Sequence, residues 1–546
     1  MRRGLPGHVI IWRNSDCAAV ILQKTSPRKV QLSPFTTQSG APSAGGGSAW
    51  RALALLAAAQ LILLIGFSLL GHHAPPLDVT EMHSWAFAPQ PGYFKHPPLP
   101  AWGVAVSEAL FGRSQFALFV PAAVSVVVAT LAIWPLALRI AGPRRALVAL
   151  FLQSTVAYYT VYAPDYNHNV AQMPFWALAI SAAYFALRDG RARWWFAFGA
   201  ALGVTALGKY SAIFLLPGLV ALLLWERGAR RHLTAANLLT ALAGLVLAFG
   251  PHAAWLVAHD FAPLRYIAER GDDLSATASW FERFGSYVLA QLIANLVPLA
   301  VWLLLRRRAV VGTDSGADAS ARFDRRFVLA LGLGPFAATL AVGLAGAYLH
   351  PMWASAMFPL SGLLVVLALG ARTDRLATRG WLLGWGALML LYGSAYAVKN
   401  TPWWPAMTRH YARAAYPGPE LARQLDALWR AEVPGRPLRT IVGTPWESEV
   451  ASFFSQYRTA VLANADFART PWVTPDEISR CGAVVVWDPP TGFEAVLRAR
   501  FPAVKIMPLL LVDPDRPRTY YRKGVAAAVI FPQSGAPATD CPARAL

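Results

Sequence analysis

The sequence predicts a polytopic α-helical membrane protein with about 11 transmembrane helices and a C-terminal extracytoplasmic α/β domain. Of its 546 residues, 56% are hydrophobic and only 14% are charged, whereas a soluble domain has roughly 25% charged residues. So few charges do not cover the surface of a 59.2 kDa globule. The high apolar content excludes a disordered or collagen-like chain, and a total of three cysteines excludes a disulfide scaffold.

Eleven apolar runs bounded by Arg or Pro are candidate membrane spans, because a helix needs about 20 apolar residues to cross the hydrocarbon core. The first run is too long for a signal peptide and no small-residue cleavage site follows it, so we expect it to remain as a helix. The fifth and sixth runs are short, and only Gly208-Lys209-Tyr210 separates them. The runs are 52–70, 116–138, 146–163, 170–187, 194–208, 211–225, 235–258, 286–305, 327–347, 354–371 and 380–398.

The loop charges predict the orientation of these spans. With a cytoplasmic N-terminus, the cytoplasmic loops hold eighteen Arg residues, and the five opposite loops hold six Lys and Arg residues. Positive charges collect in cytoplasmic loops, so everything after Lys399 is expected outside, which is the periplasm if the source is a Gram-negative bacterium. The same spread of Arg accounts for the net charge of +20 without nucleic-acid binding, which needs a basic stripe or motif.

Composition divides the chain into three parts. Residues 1–50 are polar and Gly/Ser/Pro-rich near their end, which predicts a disordered cytoplasmic tail. Residues 51–400 form the membrane domain, and residues 401–546 form a periplasmic α/β domain. In that domain an amphipathic helix from about 418 precedes alternating strand-like and helical runs. These runs are 438–443, Val461-Leu462, 482–488 and the helix 492–501.

Two local features of the α/β domain follow from its sequence. The segment 444–447 (TPWE) has an N-cap residue, a Pro at N1 and a Glu at N3, which predicts a capping box that opens a helix. Cys481 and Cys541 both lie in this domain and can pair in an oxidising compartment. The sequence does not show that their Cα atoms lie within bridging distance, so the pairing stays open.

The first outside loop holds the densest group of polar and aromatic side chains. Asp78 and Glu81 lie three residues apart, so in a helix both carboxylates face one cavity. His83 and Trp85 follow, and then comes the run 92–99 (GYFKHPPL). Carboxylates in such an apolar setting need a raised pKa or a cationic partner, and either acid can then act as a general base. The alternative is an ordinary solvated loop.

The second outside loop, Asp165-Tyr166-Asn167-His168-Asn169, joins two membrane helices. Polar groups at the bilayer edge are costly unless they are paired or line a wet cavity, so these side chains are candidates for a substrate pocket. The alternative is that Asp165 or Asn167 caps the fourth span, and both roles can hold together. Lys209 lies between two apolar runs, either as a snorkelling cation or as a point charge beside a phosphate.

A metal site is left open by the sequence. His72 and His73 with Asp78, or His168 with Asp165, can ligate a divalent ion, but two His and one carboxylate are a weak pattern. The sequence has no Gly-rich phosphate loop, no Ser/His/Asp elbow and no CxxC pair.

Taken in order, these motifs resemble glycosyltransferase family 39, which includes the protein mannosyltransferases. The acid-bearing first loop, the run 92–99, the acid at position 165 and Lys209-Tyr210-Ser211 carry the resemblance, which covers about 50–400. They resemble most its bacterial branch, with the lipid A aminoarabinose transferase and the lipopolysaccharide-core galacturonosyltransferases. The resemblance implies a C-superfamily membrane glycosyltransferase (GT-C type). Such enzymes pass a sugar from a polyprenyl-phosphate carrier to an acceptor on the outer face.

The resemblance also implies roles for single residues. Glu81 matches the second acid of a pair that opens the first loop in the family. Thr80 stands where the first acid is expected, and Asp78 lies two residues earlier, so the acid that faces the acceptor is left open. Lys95 and His96 match positions that approach the donor phosphate or a bound metal.

We therefore expect a bacterial inner-membrane glycosyltransferase that moves a hexosyl or pentosyl unit from a polyprenyl-phosphate donor to a cell-envelope acceptor. The acceptor is lipopolysaccharide or lipid A, another glycan, or a protein, and membrane lipid is a further partner. No cofactor is certain, and a divalent metal ion is left open. The expected catalytic carboxylates are Asp78, Glu81 and Asp165; the expected donor-phosphate ligands are Lys95, His96 and Lys209; the expected substrate-pocket residues are His83, Trp85, Tyr93, Tyr166, Asn167, His168 and Asn169.

Two other functions compete with this expectation. A non-enzymatic transporter or flippase of lipid-linked sugars places ionisable groups near the bilayer midplane and often has internal repeats. Here the ionisable residues gather in outside loops and no repeated half is evident, which favours the enzyme. The second alternative places the activity in 418–546, but its acids, Glu447 and Glu449 among them, form no recognisable constellation.

Overall fold

The structure, a computed structural model, describes residues 44–275, 279–306, 319–376, 379–400, 413–512, 523–534 and 537–544. The predicted N-terminal tail therefore lies almost entirely outside the described residues. From Ser48 onward the chain forms one compact unit.

The described residues up to position 400 are helical and contain fifteen α-helices joined by short turns. They are α1 (Ala44–Gly71), α2 (Leu77–Ala86), α3 (Leu99–Phe111), α4 (Gln115–Ala132), α5 (Trp134–Gln153), α6 (His168–Asp189), α7 (Ala192–Gly208), α8 (Leu215–Trp225), α9 (Ala235–Ala258), α10 (Ala262–Ser275), α11 (Trp280–Ala294), α12 (Leu296–Arg306), α13 (Ala319–Leu344), α14 (Ser361–Leu369) and α15 (Arg379–Asn400).

Six of these helices, among the described residues, are long and apolar enough to cross a membrane: α1, α4, α6, α9, α13 and α15. Two bent pairs raise the number to eight, namely α11 with α12 at 67° and the 3-10 turn Pro351–Met357 with α14 at 61°. The three remaining predicted spans fall in α5, which kinks at Gly142, and in α7 and α8, which have 17 and 11 residues. The predicted multi-pass helical fold is confirmed, and the number of eleven spans stays a prediction.

The C-terminal region builds a mixed six-stranded sheet with helices around it. Its strand order is β2-β1-β3-β6-β4, with β5 also beside β6; β1 runs parallel to β2 and β3, and β6 runs antiparallel to β3, β4 and β5. Its elements are α16 (Gly418–Glu432), β1 (Thr440–Gly443), α17 (Pro445–Phe454), β2 (Ala460–Ala463), α18 (Pro475–Cys481), β3 (Ala483–Trp487), α19 (Phe493–Arg500), β4 (Lys505–Ile506), β5 (Leu510–Val512) and β6 (Lys523–Ile530).

The predicted strand-like runs coincide with β1, β2 and β3, and the predicted last helix coincides with α19. Every residue of β3 is buried, which explains its unbroken apolar sequence, because a central strand is covered on both faces. The boundaries of a separate periplasmic domain stay a prediction.

The two local predictions for this region have clear outcomes. Thr444 directly precedes α17, as predicted. Its hydroxyl donates to the Glu447 carboxylate at 2.7 Å. The two side chains of the predicted capping box therefore bond each other, and the Thr444 side chain accepts no hydrogen bond from a backbone N–H group of the helix. Cys481 and Cys541 form a disulfide with their Cα atoms 5.7 Å apart. The bridge ties the end of α18 to the C-terminal segment.

Contacts between the α/β region and the first outside loop position the polar face of α2. The ring of His83 on α2 lies edge-on to Phe453 on α17, with ring centroids 5.1 Å apart. Beyond α3, the Arg113 guanidinium donates to the carbonyl oxygens of Ser455 at 2.5 Å and Tyr457 at 2.8 Å. These contacts hold α17 against α2, where the predicted acids lie.

Candidate active site

The helix α2 presents both predicted acids to one cavity. Pro76 precedes the helix and Asp78 lies in its first turn, where the positive end of the helix dipole favours a carboxylate. Asp78 and Glu81 both line a cavity of about 450 Å³, together with Trp85 and Lys95. We call this space the acid cavity. The prediction that the two carboxylates share a hollow is confirmed.

Glu81 forms an ion pair with Lys95. The Lys95 Nζ donates to both carboxylate oxygens, at 2.9 and 3.0 Å, and the side chains of Lys95 and Glu81 are only 24% and 15% exposed. Burial is the largest single effect and lowers the pKa of Lys95, but Glu81, Tyr266 and Asp78 together raise that pKa above its ordinary value. The cation next to the acid cavity is therefore fixed in its charged state.

Asp78 is held from the opposite direction by the start of α6. The Asn167 amide nitrogen donates to Asp78 Oδ2 at 3.0 Å. The amide oxygen of Asn167 accepts from the backbone N–H groups of Asn169 and Val170, which caps α6. One side chain therefore both caps the helix and orients the carboxylate, as the sequence allowed.

Lys209 is connected to the start of α6 by a hydrogen bond to Asn169. The Lys209 Nζ donates to Asn169 Oδ1 at 2.7 Å and lies 4.7 Å from the ring centroid of Trp353. Burial lowers the pKa of Lys209 to about 7, although the Asp78 carboxylate acts in the opposite direction. The Lys209 amine therefore changes its charge near neutral pH. A neighbouring anion favours its protonated form.

The rings of His96 and His168 lie against each other at an interplanar angle of 41°, with ring centroids 3.9 Å apart. Burial lowers the pKa of His96 well below its ordinary value, and the neighbouring His168, Lys95 and Lys209 lower it further. His96 is therefore a neutral hydrogen-bonding group between two lysines.

Asp165 is buried in the turn before α6. Burial raises the pKa of Asp165 to about 8; the Asp78 carboxylate raises it further, and Arg413 lowers it. Within the described part of the chain its Oδ1 atom has no hydrogen-bond partner. Asp165 therefore carries a proton near pH 7 and is no ready base in that state.

Aromatic side chains frame the loop that carries Lys95. Trp85 and Tyr93 stack with ring centroids 4.5 Å apart, and the Tyr93 hydroxyl donates to the Trp85 carbonyl oxygen at 3.1 Å. Gly92 packs closely against the indole ring of Trp255. A Cβ at this position would come within 2.3 Å of that ring, so a larger residue does not fit. The Gly-Tyr pair of the motif is thus required by packing.

The other predicted pocket residues occupy supporting positions. The His83 Nδ1 lies 2.5 Å from Glu108 Oε1, and the Tyr166 phenol packs against Gly103. The acid cavity is lined by Asp78, Glu81, Trp85 and Lys95 among the predicted residues; Asp165, His96, Lys209, His83, Tyr166, Asn167, His168 and Asn169 lie outside its lining. Their predicted contacts with substrate stay predictions.

Glu449, on α17, is the functional candidate that the sequence did not single out. It is buried, lines the acid cavity, and its Oε2 accepts from the Thr80 hydroxyl at 3.4 Å. Burial raises the pKa of Glu449 well above its ordinary value, and the Glu81 carboxylate adds to this effect. Only the helix-opening segment 444–447 directly before it pointed to this position.

The described residues contain no group of three or more His, Cys, Asp or Glu side chains that could hold a metal ion. His72, one of the predicted ligands, instead bonds the Ser68 carbonyl oxygen at 2.9 Å and the Tyr396 hydroxyl at 3.1 Å. The His168 ring lies against His96. These residues give no support for a resident divalent ion.

A family model matches part of this helical region. Residues 95–255 match the family of dolichyl-phosphate-mannose-protein mannosyltransferases. The matched segment begins at Lys95 and includes Asp165 and Lys209. The resemblance to glycosyltransferase family 39 is confirmed.

Among individual proteins, the chain is similar to two undecaprenyl phosphate-alpha-4-amino-4-deoxy-L-arabinose arabinosyl transferases. It is 28% identical over 233 residues to transferase 1 of Pseudomonas fluorescens, which covers 39% of this chain and 40% of that protein. It is 32% identical over 149 residues to the Pseudomonas aeruginosa transferase, covering 26% and 27%. The chain thus matches less than half the length of these curated relatives.

The fold is also similar to a solved structure. ArnT from Cupriavidus metallidurans, in a crystal structure bound to undecaprenyl phosphate, superposes with a TM-score of 0.60 over 89% of this chain and 98% of that one. The sequence identity is 16%, so the likeness shows a common fold.

Proposed function

We propose that this protein is a membrane glycosyltransferase that moves a sugar from a polyprenyl-phosphate donor to a cell-envelope acceptor. The observation that carries the proposal is the acid cavity, where the carboxylates of Asp78 and Glu81 lie beside the buried Lys95 ammonium. The acceptor is lipopolysaccharide or lipid A, another glycan, or a protein.

The two acids have different surroundings, which suggests different roles. Both oxygens of Glu81 accept from Lys95, so Glu81 holds the cation in place. Asp78 Oδ2 accepts one hydrogen bond from Asn167, and Asp78 is the better candidate for a general base.

The proposed step is a substitution at the anomeric carbon of the donor sugar. The acceptor hydroxyl gives its proton to Asp78 while its oxygen forms a bond to that carbon. The bond between the anomeric carbon and the phosphate oxygen breaks, and the lipid phosphate leaves as an anion. Cations stabilise such a developing charge in a poorly solvated site. We assign this task to Lys95, which stays charged, and to Lys209 in its protonated form.

The donor assignment is supported by the relatives. The two Pseudomonas proteins are named as transferases for an undecaprenyl-phosphate-linked sugar, and the Cupriavidus metallidurans structure contains undecaprenyl phosphate. A lipid carrier also gives a reason for a site at the edge of apolar helices, because the isoprenoid chain remains in the bilayer.

We further propose an inner-membrane location with a cytoplasmic N-terminus and with residues 401–546 in the periplasm. The Cys481–Cys541 disulfide supports this placement, because the bacterial periplasm is oxidising. In this arrangement the acid cavity opens toward the compartment where lipid-linked sugars, rather than nucleotide sugars, are the donors.

The test compares envelope glycolipids of a strain that lacks the gene, by mass spectrometry, after complementation with different variants. We expect the natural protein to restore one sugar-modified species and Asp78→Asn to leave it absent. Asp374→Asn is the matched control, because Asp374 is an exposed partner of Arg145 far from α2 in the sequence. A normal glycolipid profile with Asp78→Asn contradicts the proposal.

The transporter alternative predicts a different result. Proteoliposomes with purified protein would then move a labelled polyprenyl-phosphate sugar across the bilayer without transferring the sugar to any acceptor. That outcome would replace the enzyme by a carrier.

A further inference from the structure

A second cavity, of about 460 Å³, adjoins the acid cavity. We call it the aromatic cavity, because Tyr93, Phe94, Trp255, Tyr266 and Trp472 line it. None of the predicted carboxylates of α2 is among its lining residues.

Three parts of the chain that are distant in sequence build this cavity. Trp255 stands at the C-terminal end of α9 and stacks on His259, with ring centroids 4.2 Å apart and an interplanar angle of 17°. Tyr266 lies on α10. Trp472 lies between β2 and α18 and meets Tyr93 edge-on, with ring centroids 6.0 Å apart.

The two cavities are neighbours with a common wall. Phe94, Tyr266, Glu269 and Arg469 line both of them. A ligand in the aromatic cavity therefore needs to pass only these side chains to present a group to Asp78 and Glu81. A transferase needs two such adjoining spaces, because the acceptor must present its reacting group next to the donor and the catalytic carboxylate.

The charged side chains that line the aromatic cavity argue against a binding site for an anion. Its lining holds two guanidinium groups, Arg265 and Arg469, against three carboxylates, Asp260, Glu269 and Asp466. The Arg469 Nε lies 3.2 Å from Asp466 Oδ2, so one cation is already paired. A phosphate or a carboxylate ligand would meet as much repulsion as attraction.

The combination of flat aromatic surfaces with donors and acceptors of both signs suits a neutral, hydroxyl-rich ring. A pyranose or furanose has C–H faces that pack on indole and phenol rings, and hydroxyls at its edge that bond carboxylates and guanidinium groups. We propose that the aromatic cavity binds a sugar residue of the acceptor, and that the acceptor is a glycan chain. This inference rests on the proposed glycosyltransferase function.

In the proposed complex the acceptor sugar lies between Trp255 and Trp472 and directs one hydroxyl past Tyr266 into the acid cavity. That hydroxyl loses its proton to Asp78, and its oxygen bonds the anomeric carbon as the lipid phosphate leaves. Specificity for the acceptor then comes from the segment between β2 and α18.

The experiment measures two ligands on the full-length protein in lipid nanodiscs. The first is a lipid-free core oligosaccharide released by mild acid from rough-type lipopolysaccharide, followed by saturation-transfer NMR and calorimetry. The second is undecaprenyl phosphate. We expect Trp472→Ala to weaken the oligosaccharide at least about tenfold and Arg265→Ala about threefold. Trp472→Phe keeps an aromatic surface and should recover most of the affinity, and undecaprenyl phosphate should bind all variants alike.

The controls separate this inference from the proposed function. Trp50→Ala removes a tryptophan of α1 that is 58% exposed and should leave both affinities unchanged. Arg265 is exposed, so its variant tests the cavity even if Trp472→Ala fails to fold. If the oligosaccharide binds Trp472→Ala and Arg265→Ala as it binds the natural protein, or does not bind while undecaprenyl phosphate does, the acceptor site is wrong.

Two further outcomes are informative. A Ser/Thr-containing peptide that binds in place of the oligosaccharide, and that Trp472→Ala weakens, overturns the glycan assignment in favour of a protein acceptor. Failure of undecaprenyl phosphate to bind the natural protein argues against the proposed donor, whereas oligosaccharide binding that depends on Trp472 would still support the sugar site.

Discussion

The two acids of α2 share one cavity, but the groups around each come from different parts of the chain and hold their charges differently. On the side of the helical bundle, Asp78 bonds Asn167 at the start of α6, and Lys209 has a pKa of about 7. On the side of the α/β region, Glu81 is paired with Lys95 and shares the acid cavity with Glu449.

The ionisable groups near α2 are therefore of two kinds: one keeps its charge near neutral pH, and the others gain or lose a proton there. The Lys95 ammonium keeps its charge, because neighbouring groups, Glu81 first among them, raise its pKa. Burial raises the pKa of Glu81, and Lys95 acts in the opposite direction. Asp165, with a pKa of about 8, and Lys209 instead change protonation within the range in which a cell envelope operates. A site that must hold an anion and also move a proton benefits from having both kinds of group within reach.

The largest effect is expected from breaking the fixed pair. Lys95→Met leaves Glu81 without its cation and the departing phosphate without a stabilising charge, so transfer should fall by about 100-fold or more. Lys505→Met is the matched control, because Lys505 pairs with Glu432 at 2.7 Å on the α/β region. The measurement is initial transfer rate from a lipid-linked sugar; an unchanged rate in Lys95→Met would remove Lys95 from the mechanism.

An intermediate effect is expected at Glu449 and concerns pH. Because the pKa of Glu449 is raised, its carboxyl is neutral at lower pH and becomes a second negative charge beside Glu81 as pH rises. Glu449→Gln should therefore leave the rate near pH 7 within about threefold and flatten the loss of activity at alkaline pH.

Glu447→Gln supplies the control for that pH profile. Glu447 lies two residues away on the same helix and is also buried, but its carboxylate accepts from Thr444. It should keep the alkaline limb of the natural protein. A steep alkaline loss that persists in Glu449→Gln would show that Glu449 does not titrate in the acid cavity.

The smallest effect is expected on stability at Asp165. An aspartate ionises near pH 4 in an unfolded chain, but Asp165 does so at about 8 in the folded protein. Between these values the folded state holds a proton that the unfolded state has lost, so the free energy of unfolding falls as pH rises. Asp165→Asn removes this loss and should raise Tm by roughly 2–4 °C more at pH 8 than at pH 5.

Thermal unfolding in detergent at the two pH values measures this difference. Asp189→Asn, at the exposed end of α6, should shift Tm equally at both. An equal shift for Asp165→Asn would mean that this carboxyl is ionised in the folded protein at pH 8 and at pH 5.

Local sequence features predicted much of α2 and its loop. The spacing of Asp78 and Glu81 placed both acids on one helix face, and Lys95 provided the cation that buried carboxylates need. Asn167 was a candidate helix cap because Asn is a preferred N-cap residue. Each of these inferences uses residues that are close in the chain, where helix geometry or turn chemistry fixes the contact.

Long-range contacts were beyond such reasoning. Thr80 and Glu449 are 369 positions apart, and nothing in either local sequence indicates their partner. The same holds for the aromatic cavity, which Trp255 and Trp472 line together although they are distant in the sequence. The kink at Gly142, directly before Pro143, divides α5, so counting apolar residues alone did not fix the number of spans.

By itself the sequence determined the helical membrane character, the strands of the C-terminal region and the acids and cation of the first outside loop. Hydrophobic length, periodicity and short spacings are local quantities, and they act before the chain is packed. The tertiary structure alone decided which carboxyls stay protonated, which lysine is paired and which cavity adjoins the acids. Burial and distance set those properties, and both exist only after distant segments have come together.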